Sequence, residues 1–149
     1  MIINVQEEEL KDYRFIPQLT ADGSWTFFSP EFGETFHSYF GAQQEAEYKF
    51  VDPVQLLSRV DRSVVYLLDV CYGLGYNTAS ALAAIWRINP SCKIIQVGLE
   101  LDPEVPKAAI AKGLLDNWPD PVPELLSTYG QTHELQTEKI EAKLLIGDA

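Results

Sequence analysis

The chain has 149 residues, of which 46% are hydrophobic and 22% charged, and its formal net charge is −11. This composition excludes a disordered tail and a fibrous repeat, and it provides for one domain with a hydrophobic core. The negative charge argues against strong non-specific binding of nucleic acid by the chain as a whole, because phosphate contacts need lysine and arginine.

Other features of the sequence argue against a membrane protein, a secreted protein and a metal site. No apolar run approaches the roughly 20 residues that span a bilayer, and the N-terminus lacks the basic start and apolar core of a signal peptide. Cys71 and Cys92 are expected to be free thiols in a reducing cytoplasm. Neither histidine has metal-ligand spacing to a cysteine or carboxylate cluster, so no metal is expected.

The first third of the chain is predicted to form a small cap. Residues 14–29 (RFIPQLTADGSWTFFS) predict a β-hairpin, because Asp22-Gly23 is a strong turn signal between apolar, aromatic-rich runs. Pro17 marks the first strand as an edge strand. An aromatic-rich loop follows, and then a short helix from Ala42 that ends before Pro53.

The pattern then changes to alternating strands and helices. After a short helix candidate at 52–61, residues 63–70 (SVVYLLDV) form a continuous aliphatic run, which is typical of a strand buried on both faces. A helix should follow it, capped by Asn77 and ended by Pro90.

Two further strands of the buried type are predicted at 93–101 and 142–149. The helix between them has Asp102 as its N-cap and Pro103 in its first position. The stretch at 116–141 reads as a proline-rich loop followed by polar residues. The order strand–helix–strand–helix–strand predicts a parallel α/β sheet with right-handed crossovers.

A glycine turn joins the first of these strands to its helix. A phosphate-binding P-loop needs Gly-Lys-Ser/Thr, and no lysine lies between Val64 and Trp86. A dinucleotide site prefers a third glycine, but Thr78 holds that position. S-adenosylmethionine has no phosphate and needs only close approach of the backbone, which Gly73 and Gly75 permit. A plain tight turn without a ligand remains an alternative.

Carboxyl groups fall at the ends of the three predicted strands: Asp69, Glu100 and Asp148. Because these ends meet at one edge of a parallel sheet, the acids predict a crevice for an adenosyl ligand. Asp69 would face the cationic amino-acid end, Glu100 the ribose hydroxyls and Asp148 the adenine amino group. NAD and S-adenosylmethionine both fit this arrangement, and the missing third glycine favours the latter.

Several segments together resemble the MnmC-like methyltransferase family, namely residues 20–53, DVCYGLGYN within 67–82, GLELDP, AAIAKGLL and LLIGDA. That family contains the methyltransferase that forms 5-methylaminomethyl-2-thiouridine at the wobble position of certain tRNAs. It is stand-alone in some organisms and fused to an FAD-dependent oxidase in others. The resemblance implies a Rossmann-like methyltransferase sheet with an N-terminal hairpin and helix cap, S-adenosylmethionine as cofactor and tRNA as substrate.

The resemblance also assigns roles to individual residues. The cofactor-binding residues carry over to Asp69, Gly73, Gly75, Glu100 and Asp148. Candidate residues for the substrate or pocket are Glu34, His37, Glu45 and Tyr76.

The family continues beyond the third strand with a fourth that carries an acidic residue near the acceptor amine. We therefore expect residues 1–56 to be the cap and 57–149 the first half of a methyltransferase domain, with little activity alone and no catalytic acid of its own. A catalytically inactive cofactor-binding fragment and an NAD-dependent oxidoreductase fragment are the alternatives. Because the sheet edge would be bare, a homo-oligomer or a partner chain is expected to cover it.

Overall fold

The computed structural model describes residues 14–52, 55–59 and 61–148, apart from the side chains of Leu57 and Arg59. Within these residues the chain forms a three-stranded and a four-stranded sheet. Side chains from both parts belong to one cluster of buried hydrophobic residues. The predicted boundary between residues 56 and 57 stays a prediction.

The N-terminal sheet contains the predicted hairpin. Strand β1 (Ile16–Leu19) pairs antiparallel with β2 (Trp25–Ser29), and β3 (Glu34–Thr35) pairs with the other side of β2. Gly23 has the positive φ of 82° that the turn requires. The hairpin is therefore confirmed, and Pro17 lies on an edge strand as predicted. The short strand β3 lies in what was predicted to be loop.

The predicted helix at Ala42 is present, but its geometry changes along its length. Helix α1 (Ala42–Glu45) is α-helical and continues as a π-helical segment over Ala46–Val51. A 3₁₀ turn follows at Leu56–Arg59, within the second predicted helix. Ala42 and Ala46 are fully buried, so this segment anchors the cap in the shared hydrophobic cluster.

The second sheet contains four strands: β4 (Val64–Val70), β5 (Lys93–Glu100), β6 (Glu134–Gln136) and β7 (Ile140–Ile146). Their order in the sheet is β4–β5–β7–β6; β4, β5 and β7 run parallel, whereas β6 runs antiparallel to β7. The three predicted strands are confirmed, and the unpredicted strand β6 makes the sheet mixed. The result is a mixed α/β fold, consistent with a Rossmann-like arrangement.

Three helices connect the strands in this part of the described chain: α2 (Tyr76–Ile88), α3 (Glu104–Ala111) and α4 (Val122–Thr132). Helix α2 ends before Pro90, as predicted. Helix α3 begins one residue later than predicted, and Asp102 Oδ1 accepts a hydrogen bond from the backbone N–H of Glu104 at 3.0 Å. Over the described ranges, no helix is both long enough and apolar enough to cross a bilayer.

Helix α4 lies in the stretch that was predicted to be a proline-rich loop and polar residues. Pro123 lies in its first turn, where proline is tolerated, whereas Gly130 lies in its interior and lowers the intrinsic preference for a helix. Gly130 lies against α3, because a Cβ on it would be 2.5 Å from Ile110 Cδ1. Close packing between α3 and α4 therefore outweighs the poor local propensity.

The prediction that β4 is buried on both faces is wrong for the described chain. Tyr66 and Leu68 are 74% and 68% exposed. Strand β4 lies at an edge of the sheet, and both α2 and α4 contact the same face of β5, at Gln96 and Gly98. The opposite face of β4 therefore remains open.

The predicted cap of α2 is also wrong. The helix begins at Tyr76, directly after Gly75, whose φ of 84° is left-handed. Asn77 consequently lies inside the first turn. The sharp left-handed turn at glycine starts the helix earlier than a side-chain cap at Asn77 would allow.

Candidate functional site

The glycine loop connects β4 to α2 through a series of left-handed residues. Cys71, Gly73 and Gly75 have φ values of 60°, 57° and 84°. A Cβ on Gly75 would lie 2.6 Å from the hydroxyl oxygen of Tyr72, so a larger residue does not fit. A Cβ on Gly73 would lie 3.8 Å from Phe36 Cδ1 of the cap. Gly75 is therefore required by both space and backbone conformation, and Gly73 by conformation alone.

Glu100 fastens the glycine loop to the end of β5. Its Oε2 accepts a hydrogen bond from the N–H of Gly73 at 2.6 Å, and its Oε1 accepts one from the N–H of Asp102 at 2.9 Å. Only 8% of Glu100 is exposed. Because each carboxylate oxygen has a second lone pair, the group can still accept a hydrogen bond from a ligand hydroxyl.

Asp148 lies beside Glu100 on the same edge of the sheet. Parallel pairing places Ile146 of β7 opposite Glu100, and the N–H of Gly147 donates to the Glu100 carbonyl at 2.9 Å. The side chain of Asp148 is exposed. The backbone thus brings Gly73, Glu100 and Asp148 to one edge.

Asp69 belongs to the same region but faces the first turn of α2. Its Oδ2 accepts a hydrogen bond from the Thr78 hydroxyl at 2.6 Å. Burial raises the pKa of Asp69 to about 6, the charge of Glu100 adds to the rise, and hydrogen bonds from Thr78 and Asn77 oppose it. A cation beside Asp69 would therefore stabilise its ionised form.

The candidate pocket residues of the cap share a different cavity. Glu34, His37 and Glu45 line an open depression of about 380 Å³. His37 Nδ1 lies 3.6 Å from Glu45 Oε2. Burial lowers the pKa of His37, although Glu45 acts to raise it, so the imidazole is neutral at pH 7.

Within the cap, Glu45 is satisfied by neighbouring groups. Its Oε2 accepts the N–H of Ser38 at 2.6 Å, and its Oε1 pairs with the ammonium of Lys49 at 2.6 Å. Burial opposes ionisation, but Lys49, Ser38 and His37 outweigh it and lower the pKa of Glu45. Glu45 therefore holds the cap together as a carboxylate at neutral pH, whereas Glu34 is exposed on β3.

Tyr76 links the cap to the glycine loop from inside the core. It is fully buried, and its hydroxyl lies within hydrogen-bond distance of the carbonyl oxygens of Trp25 and Leu114. Its ring stacks on His37, with centroids 5.0 Å apart, and contacts Trp118 at 4.6 Å. Tyr76 thus packs against His37, which in turn lines the cap cavity.

Sequence reasoning missed two polar residues behind the glycine loop. Thr78 was interpreted only as the missing third glycine, but it is 1% exposed and its Oγ1 lies between Asp69 and Gln96. A signal was available, because a glutamine at the centre of the aliphatic strand KIIQVGLE must find a hydrogen-bond partner.

In the part of the chain that the structure describes, no three His, Cys, Asp or Glu residues are grouped so that they could hold a metal ion. The expectation of a metal-free site stays a prediction.

No protein-family model matches the chain. The MnmC protein of Paraburkholderia phytofirmans, named as a tRNA 5-methylaminomethyl-2-thiouridine biosynthesis bifunctional protein, is 30% identical over 146 residues, covering 83% of this chain and 21% of that protein. An uncharacterized protein of Methanocaldococcus jannaschii is 39% identical over 75 residues, covering 50% of this chain and 20% of that protein.

A solved structure extends the match to nearly the whole chain. The crystal structure of MnmC2 from Aquifex aeolicus has a TM-score of 0.70 and 31% identity, covering 99% of this chain and 51% of that one. The chain thus spans about a fifth of the curated relatives that it matches and about half of the solved one. Because the sequence match over 83% of the chain and the structural match over 99% of it both involve MnmC proteins, the chain is an MnmC-like protein.

Proposed function

We propose that this chain forms the S-adenosylmethionine-binding part of a methyltransferase that acts on the aminomethyl group of a tRNA wobble uridine. The observation that carries the proposal is the sheet edge where Glu100 holds the N–H of Gly73 and Asp148 follows on the neighbouring strand. The name of the curated MnmC relative supports the choice of tRNA as substrate. A cytoplasmic location would follow from that substrate.

The residues of this edge suit an adenosyl ligand with a cationic end. In the proposal Gly73 and Gly75 allow the ligand to approach the main chain, and Glu100 accepts hydrogen bonds from the ribose hydroxyls. Asp148 accepts one from the adenine amino group. Asp69, whose pKa is raised, gains from the positive charge of the amino-acid end.

The same residues favour S-adenosylmethionine over NAD. The carboxylate of Glu100 accepts the N–H of Gly73 in the glycine loop, and its negative charge at this point opposes binding of a pyrophosphate. A dinucleotide also needs close packing below its pyrophosphate, where a third glycine is preferred. Thr78 fills that space with a buried side chain. An oxidoreductase fragment is therefore the weaker alternative.

When bound, the cofactor supplies an electrophilic methyl group on its sulfonium. This chain binds and orients that group, and the cap excludes water from the region of the glycine loop. The attacking amine must be neutral and must lose its proton to a base. We place that base in the part of the relatives that this chain does not span, so the chain alone is expected to turn over little or no substrate.

The open side of β4 is the place where we propose that a second copy of this chain binds. Tyr66, Leu68 and Val70 are 74%, 68% and 49% exposed on one face. Among the described residues, β4 has a neighbouring strand on only one side. Unpaired edges and apolar faces of this kind favour association. Light scattering should detect an oligomer, and a monomer at every concentration would contradict this part of the proposal.

Isothermal titration calorimetry tests the cofactor assignment. S-adenosylhomocysteine should bind with a micromolar dissociation constant and NAD should give no measurable heat. Glu100→Gln should weaken binding by about tenfold, because it replaces a charge-assisted acceptor. Glu138→Gln, at an exposed position between β6 and β7, is the matched control. Binding of NAD alone would contradict the proposal.

A second assay separates cofactor binding from catalysis. Undermodified tRNA is incubated with labelled S-adenosylmethionine and this chain, alone and together with the remaining half of a relative such as MnmC2. We expect methyl transfer only with the complementary half. A chain that binds the cofactor but never supports transfer would be an inactive cofactor-binding protein.

A further inference from the structure

A buried polar relay crosses from β5 to β4 beneath the first turn of α2. The side-chain amide of Gln96 donates to Thr78 Oγ1 at 2.6 Å, and the Thr78 hydroxyl donates to Asp69 Oδ2 at 2.6 Å. Gln96 and Thr78 are 2% and 1% exposed. The relay therefore ties together the three elements that frame the glycine loop.

Elementary chemistry fixes the direction of the relay. A threonine hydroxyl has one proton, so when it accepts from the Gln96 amide it has that single proton left to donate. The proton points to Asp69, which must act as an acceptor. The side-chain amide of Asn77 also hydrogen-bonds to Asp69 and favours its ionised form. These hydrogen bonds thus favour the carboxylate form of Asp69, against the burial that raises its pKa.

Burying these polar groups costs stability, and an apolar replacement is simple at each position. A valine would fill the space of Thr78, and a methionine that of Gln96. Gln96 Oε1 and Asn77 Oδ1 have no hydrogen-bond partner among the described residues, and both residues line a cavity of about 440 Å³ together with Asp69. The relay therefore carries a cost that packing alone does not require.

We propose that Thr78 and Gln96 are positioning residues, which hold Asp69 as a hydrogen-bond acceptor beside the glycine loop and so set the affinity for a ligand with a cationic amino-acid end. This inference rests on the proposed function. It also explains the threonine at the third glycine position: the hydroxyl is needed for Asp69, and a ligand without pyrophosphate does not need the space.

The first test removes the hydroxyl while keeping the shape of the side chain. Thr78→Val should weaken S-adenosylhomocysteine binding by about tenfold, the size expected for one hydrogen bond to a charged group. Thr78→Ser should stay within about threefold of the wild type, because it restores the hydroxyl. Gln96→Met should weaken binding by about threefold. Thr128→Val, at an exposed position of α4, is the matched control.

A second readout reports on Asp69 without any ligand. The carboxyl ¹³C resonance of Asp69 is followed over pH in the cofactor-free chain. Glu100, Tyr72 and Tyr129 are the other titratable groups that interact with this carboxyl. The titration midpoint should rise in Thr78→Val and in Gln96→Met, and return in Thr78→Ser. If Thr78→Val does not fold, Gln96→Met carries the same test.

Different results would contradict the proposed cofactor binding and the role of the relay. A wild-type chain that binds no S-adenosylhomocysteine contradicts the proposed function and the relay's role together. A wild-type chain that binds it, with Thr78→Val and Gln96→Met folded and unchanged in affinity and in Asp69 midpoint, overturns the relay alone. Equal losses in Thr78→Val and Thr78→Ser would also overturn it, because the hydroxyl would then not matter.

Discussion

Asp69 at the glycine loop and Glu45 in the cap are both carboxyl groups partly removed from water, yet their surroundings act on them in opposite ways. Glu45 has the ammonium of Lys49 and the N–H of Ser38, and its pKa is lowered despite its burial. Asp69 has neutral donors and the nearby charge of Glu100, and burial raises its pKa to about 6. The cap thus compensates its charge internally, whereas the glycine loop leaves a charge for a ligand to compensate.

The largest effect should come from adding one methyl group to the glycine loop. Gly75→Ala requires an alanine to adopt the left-handed φ of 84°, and it places the new Cβ 2.6 Å from Tyr72 Oη. We expect the free energy of unfolding to fall by about 3 kcal/mol, from backbone strain and overpacking together. Binding of S-adenosylhomocysteine should be lost. Urea denaturation and calorimetry measure the two effects.

Gly33→Ala in the cap is the matched control for that substitution. Gly33 has a similar φ of 68°, but nothing lies within 4 Å of an added Cβ. Only backbone strain of about 1 kcal/mol should appear, and ligand binding should be unchanged. Equal losses of stability and binding in the two variants would contradict the distinction between the two regions.

The next effect concerns the charge of Asp69. Its folded pKa of about 6 lies above the ordinary value, so the folded state binds the proton more readily between pH 4 and 6. Stability of the ligand-free chain should therefore fall as pH rises through that window. Asp69→Asn should raise the free energy of unfolding at pH 7.5 by about 2 kcal/mol, flatten this pH dependence and weaken ligand binding.

Thermal and urea unfolding at several pH values test this trade-off between stability and binding. Asp116→Asn, at an exposed position after α3, serves as the control. An Asp69→Asn variant that is less stable than the wild type at pH 7.5, and that binds the ligand equally well, would show that Asp69 is an ordinary structural carboxylate.

The smallest effect is expected from Glu45 of the cap. Its folded pKa is lowered, so its contribution to stability is present above the unfolded pKa and is lost as pH falls through the folded value. Glu45→Gln should lower the free energy of unfolding at pH 7 by about 1 kcal/mol. Ligand affinity should stay within about threefold, and Glu47→Gln on the same helix should change neither. A tenfold loss of affinity in Glu45→Gln would instead place the cap carboxylate in the binding site.

The sequence predicted the elements that have strong local signals. Asp22-Gly23 identified the hairpin, and the aliphatic runs identified β4, β5 and β7. Helix α4 was missed because the prolines around its start resemble a loop and Gly130 lowers the local helix preference, whereas Gly130 allows close contact with Ile110 of α3. The aliphatic run predicts that β4 is apolar, but it does not indicate which of its two faces is covered by helices. The open face of β4 could therefore not be predicted.

For the candidate site, too, some contacts could be predicted from the sequence and others could not. Parallel strand ends explain why Glu100 and Asp148 meet at one edge, and this follows from the sequence alone. The relay from Gln96 through Thr78 to Asp69 joins residues 27 positions apart and depends on how α2 packs over β5. Local sequence patterns do not predict such a contact, although a glutamine within an aliphatic strand indicates that a hydrogen-bond partner must lie nearby.

The most direct test of the central claim is the backbone amide spectrum of the ¹⁵N-labelled chain, recorded while S-adenosylhomocysteine is added. We predict that the largest shifts occur at Gly73, Gly75, Glu100 and Asp148, that Asp69 follows, and that NAD causes none of them. Shifts confined to the cap cavity around His37 and Glu45, or no shifts at millimolar ligand, would contradict the assignment of the glycine-loop edge as the cofactor site.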